Sequence, residues 1–338
     1  MISLKEKIKK LPKTELHRHI EGCVSSSTII KIARKHKLNL PTFDEQKLIP
    51  MVSLQQPMNS LGEVLKMFEI AQSVFVSYEA VEEIVSKALE TAYKNENIRL
   101  MELRYSPDFM LKGKDLDWQK TLNIICNSIK KFEKSHSFFG AVIIIASRGY
   151  GLESVRKTVD FAVKNKKLVV GFDFADDELN YPASLYKNEA RKLHKEAMPF
   201  TVHSGEEGSF KQIIDTIKIL NPKRIGHGVK AINDPSGKTL ELIKQNNITV
   251  EANPYSNYLT HAVNSLEAHP LKKFIKAGIN VAIGADDPEI LNTNLNKEYL
   301  LSVEKIGLSM EDIAFTNKCA VAGSFMRDDI KQEALKWF

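Results

Sequence analysis

Eight short runs rich in β-branched and apolar residues are spaced along the chain, and amphipathic helical patterns fill most of the gaps between them. The runs are ELHRHI (15–20), RLMELRYS (99–106), AVIIIAS (141–147), LVVGFDF (168–174), FTVHS (200–204), RIGHG (224–228), ITVEANP (248–254) and INVAIGADD (279–287). Helix-period spacing of apolar residues marks 79–95, 118–134, 152–165, 209–220, 237–246 and 269–278. Strands alternating with helices predict a parallel sheet, and eight such units are the number that closes a (β/α)8 TIM barrel. An open doubly wound sheet would call for a glycine-rich first turn, and no GxGxxG follows the first run.

The first crossover is too long for one helix. It contains STIIKIARKHKL, a stretch with Pro41, Pro50 and Pro57 that reads as a loop, and then LGEVLKMFEIAQ. Extra helices are therefore expected after strand one, and more over 296–336 at the C-terminus. No linker, low-complexity segment or longer repeat divides the 338 residues, so a single domain over 1–338 is predicted.

Composition narrows the function class. The net charge of +6 is spread along the chain, and no basic run is interleaved with aromatics, so a nucleic-acid partner is not expected. Cys23, Cys126 and Cys319 are far apart and form no CxxC, which indicates neither a disulfide framework nor a thiolate metal site. With no apolar stretch of membrane-spanning length and no signal-type segment near Met1, a cytoplasmic location away from membranes is expected. SGKT (236–239) lacks the earlier glycine of a phosphate-binding loop, because Ile232 holds that place.

In a closed barrel, functional side chains project from the C-terminal strand ends. His17 and His19 lie on strand one, His203 and Glu206 follow strand five, His227 ends strand six, and Asp286 and Asp287 end strand eight. Each has an ordinary explanation alone: HxH puts both rings on one strand face, and ADDP reads as a turn before proline. Gathered at one rim they are costly to bury unless a cation or a substrate pairs with them. Three imidazoles and a carboxylate without cysteine suit Zn²⁺ best, with iron or manganese as alternatives. The residues themselves thus indicate a metal-assisted hydrolase in which Glu206 lies within reach to exchange protons with substrate.

The motifs LPKTELHRHIEG, LRYSP, TVHSGEEG, RIGHGV and ADDP stand in the order and spacing of the adenosine deaminases, barrel members of the amidohydrolase superfamily. SNYLT, AHPLKKF and DDELNYPASLY resemble the bacterial enzymes most. The resemblance implies one Zn²⁺ per chain held by His17, His19, His203 and Asp286. It implies that Glu206 protonates purine N1, that His227 orients and helps deprotonate the attacking water, and that Asp286 contacts the same water. Asp287 matches the residue that meets purine N7, and Glu21 lies where the family has an aspartate that meets the ribose 5′-hydroxyl.

Three departures fall in the substrate pocket. Asp176, in ADDE, replaces a glycine whose backbone N–H meets purine N3, and Glu21 is one methylene longer than the family's aspartate. EANPYSN and IGADDP stand for the commoner ESCPTSN and INTDDP. The activity implied is hydrolysis of adenosine and 2′-deoxyadenosine to the inosines and ammonia. Deamination of a modified 6-aminopurine nucleoside, such as 5′-methylthioadenosine or aminodeoxyfutalosine, is the alternative. A catalytically silent binding protein is disfavoured by retention of the whole residue set.

Overall fold

The computed structural model describes residues 2–59 and 61–338. Eight strands, β1 (Lys13–His19), β2 (Ile98–Tyr105), β3 (Phe139–Ser147), β4 (Gly171–Ala175), β5 (Phe200–Ser204), β6 (Arg224–His227), β7 (Thr249–Ala252) and β8 (Val281–Ile283), pair in parallel and in sequence order. All are largely buried, as parallel strands covered by helices must be.

The ring closes just past β8. Asp286 N–H donates to His17 O at 2.8 Å, and His19 N–H donates to Asp286 O at 3.1 Å. Glu15 spans the same seam, accepting from His17 N–H at 2.9 Å and from Ala285 N–H at 3.0 Å. Closure of the fold therefore sets Asp286 against both histidines of HxH.

Helices Tyr78–Glu96, Trp118–Glu133, Gly151–Lys164, Phe210–Leu220, Lys238–Gln245 and Leu271–Lys276 match the predicted crossovers, and Leu295–Glu304, Met310–Gly323 and Asp328–Leu335 match the C-terminal set. Between β1 and β2 lie Ser26–His36, Glu45–Val52 and Leu61–Gln72. The middle one corrects the loop expected around Pro50. Asp44 caps it by accepting from Gln46 N–H, Leu48 and Val52 are buried, and these offset the one helix hydrogen bond, to Gln46 O, that Pro50 cannot make. Lys187–Lys195, between β4 and β5, also escaped the sequence pattern, since KNEARKLHK has few apolar residues to reveal a period.

Candidate active site

The barrel interior beneath the site is ionic. Arg224 pairs with Glu102 at 2.6 Å and with Glu251 at 2.6 Å, and Arg104 bridges Glu251 to Asp173; all five side chains are fully buried. This alternating row satisfies charges that would be costly singly. It also presents two carboxylates upward. Glu251 accepts from His17 Nδ1 at 2.9 Å, and Asp173 accepts from His203 Nδ1 at 3.1 Å. Burial works against their negative charge, but Arg104 and the histidines outweigh it and hold both carboxyls well below the usual range.

Above this row the predicted residues converge. Asp286 Oδ1 lies 3.4 Å from His17 Nε2 and 3.3 Å from His19 Nε2, and the rings of His203 and His227 stand 4.7 and 5.1 Å from that of His17. The donor atoms fall into two overlapping groups, His17, His203 and His227, and His17, His19 and Asp286. These residues fit a divalent cation. Nε2 of His17 and of His19 is buried without a hydrogen-bond partner, and the Nδ1 atoms of His17 and His203 are already occupied by carboxylates, the usual support for metal-binding imidazoles. Burial lowers the pKa of His19, His203 and His227, which favours the neutral rings that bind metals. Burial and Arg104 also oppose a charge on His17, but Asp286 and Glu251 overcome both and raise it to about 9.

Glu206 reaches the same space from the turn after β5, with Oε2 3.3 Å from His227 Nε2. Burial, reinforced by Asp286, Glu178 and Glu207, pushes its carboxyl up to about 8. Asp287 is raised well above the carboxylate range by burial, Asp286, Glu21 and Glu206. Its Oδ1 has no hydrogen-bond partner, and it packs so closely on Gly22 that a Cβ there would sit 2.0 Å from it. Glu21 is buried, accepts from Ser106 N–H at 2.9 Å, and is raised by burial to about 8.

Asp176 has a left-handed backbone, with φ of 75°, the region that glycine favours. Its exposed carboxylate accepts from the Gly149 N–H at 3.1 Å and the Asp177 N–H at 2.8 Å. His227 and Asp286 also sit at positive φ, 64° and 60°. Such strain persists where surrounding structure holds it, as at working sites.

The cavity over these groups has a volume of about 360 Å³, enough for one small ligand. Its outer wall is apolar, with Val64, Phe68, Phe109 and Leu291, and its inner end is acidic. Among the described residues no lysine or arginine lines it.

Several residues that build the site carried no sequence signal of their own: Arg104, Asp173, Glu178, Glu251, Asn257 and His269. All are buried, and a buried charge in a strand otherwise apolar, such as Asp173 in LVVGFDF, is the cue that could have marked some of them.

A closed parallel barrel carrying a buried histidine and carboxylate centre at its C-terminal mouth defines a (β/α)8 hydrolase. The adenosine deaminase family model matches residues 12–336, and the chain belongs to the adenosine deaminase family, a family of hydrolytic deaminases. An adenosine deaminase of Clostridium botulinum is 34% identical over 327 residues, covering 96% of each chain. One from Plasmodium gallinaceum is 32% identical over 335 residues, covering 98% of this chain and 91% of its own. The crystal structure of an adenine deaminase from Arthrobacter aurescens shares the fold with a TM-score of 0.87 at 21% identity, covering 97% of this chain and 98% of its own.

Proposed function

We propose that this protein is a zinc-dependent adenosine deaminase, converting adenosine and 2′-deoxyadenosine to inosine and 2′-deoxyinosine with release of ammonia, and that residues 1–338 act as one catalytic domain. The observation that carries this reading is the placement of Glu206, a carboxyl held protonated to about pH 8, on the same space as the histidine and Asp286 cluster.

His17, His19, His203 and Asp286 would hold the zinc. When bound, zinc would lower the pKa of a coordinated water toward about 7 and make a nucleophile available. The protein's own residues supply the rest. Protonated Glu206 donates to purine N1, which draws electron density from C6 as the oxygen attacks. His227 and Asp286 flank the attacking oxygen. Asp287, whose carboxyl burial raises well above the usual carboxylate range, would meet N7, and the Asp176 N–H, on a left-handed backbone, would meet N3. The sugar faces the apolar wall, with Glu21 at its 5′ end.

A modified 6-aminopurine nucleoside is the second reading, favoured by the apolar wall beside Glu21, which suits a 5′-alkylthio group at least as well as a hydroxyl. Ammonia release across adenosine, 2′-deoxyadenosine, 5′-methylthioadenosine and aminodeoxyfutalosine tests the choice. Turnover of adenosine with the highest kcat/KM is expected, and failure on adenosine with success on a 5′-modified nucleoside would reverse it. Metal analysis should give close to one zinc per chain, and chelation should abolish turnover until zinc is returned.

A further inference from the structure

Behind His227, on the side away from Glu206, two buried polar residues stand in line. Asn257, in the helix Pro254–Leu259 that follows β7, sets Nδ2 2.8 Å from His227 Nδ1. Its Oδ1 lies 3.1 Å from Nε2 of His269, just ahead of the helix Leu271–Lys276. His269 Nδ1 in turn accepts the backbone N–H of Leu271 at 3.2 Å. His227, Asn257 and His269 are at most 3% exposed, so water does not compete for these bonds.

The line has one consistent set of protons. A backbone amide nitrogen only donates, so His269 Nδ1 offers a lone pair and the ring's proton sits on Nε2. That N–H donates to Asn257, which fixes the amide oxygen toward His269 and the NH₂ toward His227. The NH₂ also only donates. His227 Nδ1 is therefore an acceptor, and the neutral ring carries its proton on Nε2, the atom 3.3 Å from Glu206 Oε2 and 3.9 Å from Asp286 Oδ2. Asn253, where the commoner motif has cysteine, sets a second amide nitrogen 3.5 Å from the same Nδ1. Burial lowers His269 to about 3, so it stays neutral throughout the working range.

We propose that His269 and Asn257 are positioning residues that relay the Leu271 N–H to His227 and hold it as the Nε2–H tautomer, so that His227 donates a hydrogen bond to the attacking oxygen and does not take its proton. The geometry stands by itself, while its catalytic consequence rests on the deaminase reading above. The protons balance without His227 as a base. Glu206 gives its proton to purine N1, and the resulting carboxylate takes one proton from the attacking water as the oxygen–C6 bond forms. The second water proton leaves with the 6-amino group as ammonia when the C6–N bond breaks, so Glu206 ends protonated, as it began.

Long-range ¹H–¹⁵N correlation spectra of the ¹⁵N-labelled, as-purified enzyme read which imidazole nitrogen carries the proton, with His227 assigned from the signals missing in His227→Asn. Nε2–H is expected for His227 and His269 alike. Asn257→Asp, whose carboxylate only accepts, should move the His227 proton to Nδ1 and lower kcat by roughly a hundredfold or more with little change in KM. His269→Phe should leave His227 in mixed tautomers with kcat reduced, and His269→Gln, which keeps a donor, should restore both. A wild-type spectrum with Nδ1–H on His227 overturns the proposal, as does an Asn257→Asp enzyme whose tautomer and kcat are unchanged. The wild-type spectrum decides even if a variant fails to fold. Should no 6-aminopurine be deaminated, the functional reading fails while the spectrum still answers for the relay.

Discussion

Glu178 holds the turn that carries Glu206: its carboxylate accepts the Glu206 N–H at 2.9 Å, together with those of Gly205, Glu207 and Gly208 at 2.7, 2.8 and 2.9 Å. One buried side chain from the loop after β4 thereby satisfies four consecutive backbone donors after β5. The acid that the proposed chemistry needs is aimed by another acid that takes no part in it. Its negative charge also helps keep Glu206 protonated.

Glu178→Ala removes that support and leaves four N–H groups without their partner. Misplacement of a reacting group by about 1 Å costs on the order of 10²-fold, so kcat should fall by roughly that factor. The metal content should not change, because no proposed ligand bonds to Glu178. Steady-state kinetics beside metal analysis of the same preparation checks the split.

Arg104→Met tests the row beneath the site. It leaves Asp173 and Glu251 buried with their shared cation gone, and breaking a buried pair in this way costs about 3–5 kcal/mol. The histidines those carboxylates orient should then bind metal roughly 10–100-fold more weakly. Denaturant unfolding measures the first effect and chelator competition the second. A variant with wild-type values in both would show that the row is not needed.

Much of this was legible in the sequence. The eight strands could be read because parallel strands buried on both faces make short apolar runs, and the placement of His17, His203, His227 and Asp286 at strand ends followed from barrel closure. What could not be read were elements held by contacts that have no local period. The helix Glu45–Val52 is set by its Asp44 cap and by burial of Leu48 and Val52, against the local signal of Pro50. Asn257 and His269 matter only because folding brings them behind His227, and nothing in SNYLT or AHPLKKF says which imidazole nitrogen holds a proton. Asp176 is a case of the opposite kind. It stands where the family has glycine, and it takes a positive φ because aspartate tolerates that region and finds local N–H partners there.

Glu206 should set the alkaline limb of the pH profile. Its carboxyl is raised from 4.5 to about 8, so the protonated form that donates to N1 is present below that pH and lost as pH rises through it. kcat/KM should therefore decline above about pH 8. The same shift is a stability statement. Between about pH 4.5 and 8 the folded protein binds this proton more tightly than the unfolded chain, so folding stability falls as pH rises through that window. Glu206→Gln removes the titration. It should abolish measurable turnover and yet be more stable than wild type at pH 8, by up to about 4 kcal/mol in denaturant unfolding.

The cavity should reject nucleotides. Among the described residues no lysine or arginine lines it, so a 5′-phosphate would bring two negative charges into a pocket with no basic side chain to meet them. Glu21 lies closest to the expected 5′ end, beside the apolar wall of Val64, Phe68, Phe109 and Leu291, which solvates a dianion poorly. Desolvating a dianion without a cationic partner costs several kcal/mol, which corresponds to a kcat/KM for AMP lower than that for adenosine by roughly a hundredfold or more. Coupled ammonia assays with adenosine and AMP at matched concentration measure the ratio. Equal turnover of adenosine and AMP would mean that a cation reaches the 5′ end in solution.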